Sequence, residues 1–129
     1  MLPANDLEYL RSLSPGHTVQ LDGGMTCVLV PGFLLGEGFA LAQSDLLLRL
    51  APGYPDVPPD MWWFNPPVRR TDSAEIIATQ AREQLLGREW QRWSRHLTPG
   101  QWRSGIDSLE SYIAIIRREL RASAPKVAV

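Results

Sequence analysis

"YPDVPPDMWWF", residues 54–64, is the stretch on which the reading of this chain turns. Pro55, Pro58 and Pro59 fix their own φ and withhold three backbone donors, and they bias the residues before them toward extended geometry. No helix can form through that pattern. Tyr54 can bury its ring while its hydroxyl finds a hydrogen bond inside the segment. Met61, Trp62, Trp63 and Phe64 then alternate as a strand does, with large side chains on both faces, until Pro66 and Pro67 stop them. The stretch therefore predicts a stiff crossing, at low entropic cost, into a strand buried on both sides.

Upstream, "ANDLEYLRSL" offers Asn5 as a cap and Leu7, Leu10 and Leu13 at near-helical spacing, closed by Ser14, Pro15 and Gly16. "HTVQLDGG" and "MTCVLVPGFLL" read as a hairpin about Asp22, Gly23 and Gly24, whose second strand is bent at Pro31 and Gly32. "SDLLLRLAP" is a third strand and "DMWWFNPP" the fourth. Downstream, "SAEIIATQAREQLLG" places Ile77, Ala81, Gln84 and Leu85 on one helical face, with Gly87 as a stop. "REWQRWSRHLTPGQWRSG" reads as an ordered loop with one helical turn. "IDSLESYIAIIRREL" places Ile106, Leu109, Ile113, Ile116 and Leu120 three and four apart, with arginines at the end where the helix dipole favours them. The expected architecture is α+β: an N-terminal helix, a four-stranded antiparallel meander, and C-terminal helices packed on one face. One domain over residues 1–122 and a disordered tail over 123–129 complete it.

Composition narrows the function. A chain of 129 residues, 44% hydrophobic and 21% charged, can bury a core without disulfides or metal. A net charge of −1 gives no general pull toward nucleic acid or anionic lipid. No apolar run reaches a membrane span, and "MLPANDLEYL" lacks the pattern of a signal peptide, so a cytoplasmic protein is expected. A single cysteine, Cys27, excludes an internal disulfide and a cysteine-rich zinc site; with only His17 and His96, no metal site and no cofactor are expected. Twelve of the 13 basic side chains are arginine, and the sole lysine is Lys126. Genome base composition gives such a bias. A protein handling amine-reactive acyl groups also gains by it, because a guanidinium is a poor nucleophile.

Tyr54-Pro55-x-x-Pro58-Pro59-x-Met61-x-Trp63 resembles the signature that links strands three and four of ubiquitin-conjugating enzymes. The element order over residues 7–120 is similar to that fold, and "WQRWSRH" with "WRSGIDSL" resembles the divergent bacterial branch called prokaryotic family E. The resemblance implies acyl transfer, in which the C-terminus of a ubiquitin-like protein is carried as a thioester. It also implies a ubiquitin-like protein and a ubiquitin-activating-type enzyme as partners, a JAB-type metallopeptidase in the same pathway, and a place in antiphage defence. By analogy the N-terminal helix, through Asp6, Glu8 and Arg11 on an exposed face, docks the activating enzyme.

The expected nucleophile is missing. Family members carry their cysteine after the fourth strand behind a His-Pro-Asn turn; residues 71–89 here contain neither, and Cys27 falls in the second strand as a small core residue. Three readings follow. The domain binds its partners without carrying an acyl group; or Thr71, Ser73, Thr79 or Ser94 replaces the thiol and the carrier bond is an oxyester; or the domain arranges transfer from a partner's thiolate to an acceptor. A hydroxyl needs an adjacent base. The substitute constellation is Ser94, Arg95 and His96, where the histidine can act as base, Ser94 stands on the same side of an extended segment, and Arg92 and Arg95 can steady an oxyanion. The same side chains can instead be structural, hydrogen-bonding loop carbonyls around buried Trp90 and Trp93. Arginines interleaved with aromatics also leave single-stranded nucleic acid as a remote partner.

Overall fold

A computed structural model describes residues 2–126. Helix α1 (Ala4–Leu13) leads into strands β1 (Thr18–Asp22), β2 (Met25–Leu34), β3 (Gln43–Leu50), β4 (Trp62–Asn65), β5 (Arg82–Leu85) and β6 (Arg88–Trp93), and helix α2 (Leu109–Ser123) follows. The six strands form one sheet in the order β1-β2-β3-β4-β6-β5, and every neighbouring pair is antiparallel. The expected meander is present as β1 to β4. Pro31 and Gly32 break the β2 register between Val30 and Phe33, and the freed Gly32 N–H donates to Asp45 Oδ1 at 3.0 Å.

Alternation along the strands builds two apolar layers. Leu46, Leu48 and Leu50 of β3 face α1 and α2 together with Val28, Val30, Trp62, Phe64 and Trp93; from α2 come Leu109, Tyr112, Ile113, Ile116 and Leu120. Leu47 points the other way, onto Cys27, Trp63 and Trp90. The "LLL" of β3 thus serves both faces, as the period-two geometry of a strand requires. Trp63 closes its side by donating Nε1–H to Glu83 Oε1 at 3.2 Å, and the Arg88 guanidinium lies 4.7 Å over the Trp90 ring.

Residues 73–87 do not form the expected helix. Ile77, placed on its apolar face, is 83% exposed, and Gln84 and Leu85 belong to β5. Leu86 and Gly87, both at positive φ, close a two-residue hairpin loop between Leu85 and Arg88, so Gly87 turns a hairpin rather than ending a helix. The segment read as a loop becomes β6. It sends Trp90 to one layer and Trp93 to the other, which a helix could not do without stranding one indole in water. The sheet therefore has six strands rather than four, and one helix follows it rather than two.

The ends of the remaining helices also shift. Pro3, not Asn5, stands at the N-cap of α1. Helix α2 starts at Leu109, where the Ser108 N–H donates to Ser111 Oγ at 2.8 Å, and Ile106 lies outside it and exposed. Beyond Ser123, Ala124 and Pro125 lie against Gly38. The expected tail continues into Val127, Ala128 and Val129, which lie outside the described residues.

Candidate functional site

The Tyr-Pro link sits where the reading placed it, between β3 and β4, and tertiary contacts hold it at several points. The Tyr54–Pro55 peptide is cis. Tyr54 donates its hydroxyl to Asp6 Oδ2 at 2.6 Å, across to α1 rather than within the link as expected. The other Asp6 oxygen, Oδ1, accepts the Leu109 N–H at 2.9 Å, at the first turn of α2. One carboxylate thus joins the link to both helices and meets the positive end of a helix dipole. Burial, with the Asp6 carboxylate beside it, pushes the Tyr54 phenol well above its usual range, so it stays a donor. Trp102 Nε1 donates to the Pro55 carbonyl at 2.9 Å, and Ser104 donates to Asp56. Pro59 is buried and Pro58 exposed.

These contacts correct the docking expectation for Asp6. It is 1% exposed and cannot meet a partner, because its two oxygens are occupied inside the protein. Glu8 and Arg11 do stand exposed on α1.

The link ends at Asp60, beside the last residues of β6. The Met61 N–H donates to the Arg95 carbonyl at 3.1 Å, and Tyr112 donates its hydroxyl to the Met61 carbonyl at 2.9 Å. That seam brings His96 Nδ1 to 2.7 Å from Asp60 Oδ1, with 63% of the histidine side chain exposed. The pair has the form of a carboxylate orienting an imidazole by one nitrogen and leaving the other outward. Beside it is a cleft of about 180 Å³ lined by His96, Arg95, Trp62, Tyr112, Arg118 and Glu119, among others. Burial and the nearby Asp60 charge raise the Tyr112 phenol above its ordinary range, which keeps it protonated.

Ser94, Arg95 and His96 are adjacent, but each has a separate partner. Ser94 Oγ accepts from Arg92 Nε at 3.1 Å. Arg95 donates to Glu119 Oε1 at 3.1 Å and to the Ile77 carbonyl at 2.7 Å, and lies 4.9 Å over the Trp93 ring. No hydrogen bond joins Ser94 to His96 among the described residues. Asp60 is the residue that local sequence missed: it stands 36 positions from His96, and only the sheet brings them together.

A second and larger cleft, about 510 Å³, lies over the segment where the family's cysteine is expected. Arg69, Thr71, Ser73, Ile76, Thr79 and Gln80 are among its lining. Thr71 Oγ1 donates to the Gly38 carbonyl at 3.2 Å and buried Thr79 Oγ1 to the Ile76 carbonyl at 2.8 Å. Arg70 is held by Asp72, at 2.9 Å from Nε, and holds that carboxyl below its ordinary range. Arg69 is exposed and enters no ion pair among the described residues. Cys27 is 1% exposed in the layer behind the sheet.

Trp62, Trp63, Trp90 and Trp93 are all buried, so they offer no ring face on which a base could stack. Among the described residues no three His, Cys, Asp or Glu side chains are placed to hold a metal ion, and no helix is long and apolar enough to cross a membrane. Comparison with curated proteins and with solved structures gives no match. The family model described as "Prokaryotic E2 family E" matches residues 2–123, nearly all of the chain and every element of the sheet and helices. The chain belongs to prokaryotic E2 family E.

Proposed function

We propose that this bacterial E2-like protein serves its conjugation pathway as a non-covalent module, binding a ubiquitin-like protein or the activating enzyme without carrying the acyl group itself. One observation carries the reading: among the described residues, none of the candidate hydroxyls of Thr71, Ser73, Thr79 and Ser94 hydrogen-bonds a histidine or a carboxylate. The Cys27 thiol is buried, Ser94 is held by Arg92, and Thr71 and Thr79 donate to backbone carbonyls. A hydroxyl without an adjacent base is a poor acyl acceptor at neutral pH. The exposed Glu8 and Arg11 on α1 suit the activating enzyme, and the cleft beside Arg69 suits the acidic end of a protein tail.

The test is to mix the chain with its ubiquitin-like protein, activating enzyme and ATP. Co-elution with no covalent adduct by intact mass is expected. An adduct that resists thiol but yields to hydroxylamine would be an oxyester and would overturn the reading. Loss of activating-enzyme binding in Glu8→Ala with Arg11→Glu tests the helix face; unchanged binding removes it.

The His96–Asp60 pair supports a second role for the same module. In transfer from a partner's thioester, an acceptor amine attacks the carbonyl, His96 Nε2 takes the proton the amine loses, and the partner's thiolate leaves. His96→Ala and Asp60→Asn should then slow transfer in the reconstituted system while leaving binding intact, by on the order of the 100-fold that a positioned base contributes. Equal transfer rates would take His96 out of the chemistry.

A further inference from the structure

Strand β1 is an outer edge of the sheet, and little protects it. The register Asp22↔Met25 closes a two-residue loop in which Gly23 and Gly24 both have positive φ. In such a hairpin the residues flanking the loop exchange hydrogen bonds, and bonded and unbonded pairs alternate from there. Asp22, Gln20 and Thr18 therefore spend their backbone groups on β2. Val19 and Leu21 turn theirs outward, where they meet no backbone partner among the described residues. The same two residues expose apolar side chains, Val19 at 40% and Leu21 at 77%. They share the helix-bearing side of the sheet, since Val19 pairs with Val28 of the main core. An edge with free donors, free acceptors and exposed aliphatics is a template for another strand.

The far edge differs. Strand β5 carries Arg82 and Glu83, and the Arg82 guanidinium lies across the carbonyls of Thr79, Gln80 and Ala81. Charges of that kind blunt an edge; β1 has only Asp22, at its very end, and no lysine or proline.

We propose that β1 pairs antiparallel with β1 of a second copy of this chain, about a two-fold axis at Gln20, to make one continuous sheet through two molecules. The sequence "TVQLD" is complementary to itself in this register. Val19 faces Leu21 of the second copy twice over, apolar on apolar, and Thr18 faces Asp22, so no like charges meet. The outward backbone groups of Val19 and Leu21 are those that this register joins, giving four hydrogen bonds. Gln20 faces Gln20 as a non-bonded pair with side chains in reach. Gly23, whose added Cβ would find only Arg49 within 4 Å, leaves room for the residue preceding the opposite strand. Shifting the register by two residues leaves Val19 or Leu21 without an apolar partner, and shifting it by one puts them on opposite faces. A net charge of −1 per chain offers little repulsion between copies.

The experiment is light scattering on the eluted full chain over a concentration series. The weight-average mass should rise from 14.5 kDa toward about twice that value. Val19→Lys with Leu21→Lys places ammonium groups opposite one another at exposed positions, so the fold, followed by circular dichroism, should persist. Association should weaken about tenfold or more. Gln20→Cys should form an intermolecular disulfide under mild oxidation, because a non-bonded antiparallel pair sets the two Cα atoms about 4.5 Å apart. Thr18→Cys, far from its own copy in this register, should not. A wild-type mass fixed at 14.5 kDa overturns the proposal. So does a dimer indifferent to the lysine pair, or equal cross-linking at positions 18 and 20. Protection of the β1 amides by the ubiquitin-like protein in a chain that stays monomeric would assign the edge to that partner's tail and overturn it likewise.

Discussion

Asp6 is the residue on which the link and both helices converge. Removing its carboxylate in Asp6→Ala leaves the Tyr54 hydroxyl and the Leu109 N–H without their acceptor in a buried place. The expected loss is about 3 kcal/mol, the scale for breaking charge-assisted bonds and stranding their donors. Equilibrium urea unfolding measures it, with Glu8→Ala, on the exposed side of the same helix, as the control that should stay within about 0.5 kcal/mol. Tyr54 adds a pH dependence. Its folded pKa is raised, so its stabilising contribution is complete while both states hold the proton, below about pH 10. Above that the unfolded chain ionises first, and the melting temperature should fall as pH rises. The fall should be shallower in Tyr54→Phe, because phenylalanine has no proton to lose. An equal alkaline slope in both proteins would place the linkage elsewhere.

At the scale of the element, hairpin loops decide what the periodicity of the side chains could not. Leu85, Leu86, Gly87 and Arg88 form a loop with two central residues at positive φ, and an added Cβ at Gly87 meets nothing within 4 Å. Gly87→Ala therefore isolates backbone strain, and should cost about 1–2 kcal/mol without any clash. Gly38 is the harder case. Its φ is +95° and an added Cβ would lie 2.8 Å from Pro125. Gly38→Ala should destabilise more than Gly87→Ala, and it should loosen the end of α2, which hydrogen exchange at residues 119–123 would reveal. If the two substitutions cost the same, the contact between Gly38 and Pro125 carries no weight.

For the whole molecule, the sheet with an apolar layer on each side makes one cooperative unit of the link, the helices and the hairpin β5–β6. Cys27 reports on it. Buried in the layer away from the helices, with Leu47, Trp63 and Trp90, its thiol should react with a disulfide reagent only when the sheet opens. Its labelling rate should track global stability across the Asp6 and Gly38 variants. Fast labelling of the native protein would show that this layer opens by itself. Cys27 lies away from both clefts, so a partner bound there should slow its labelling only by stabilising the folded state, in step with the partner's occupancy.

The residues whose reading rests on neighbours in sequence were legible without coordinates. Three prolines exclude a helix wherever they occur, Asp-Gly-Gly turns a hairpin by its own φ preferences, Pro-Gly bends a strand, and the stripe from Leu109 to Leu120 has a helix's period. Residues 73–93 were not legible in that way. Ile77, Ala81 and Leu85 carry a helical spacing by coincidence, and the demand that makes them loop and strand comes from Trp90 and Trp93, which must enter opposite layers of a sheet built elsewhere in the chain. Nor could local sequence pair His96 with Asp60, or take Asp6 from the surface into the interior. Short-range torsional preferences are written into the chain itself, whereas which carboxylate meets which donor across dozens of residues depends on where the assembled sheet sets them down.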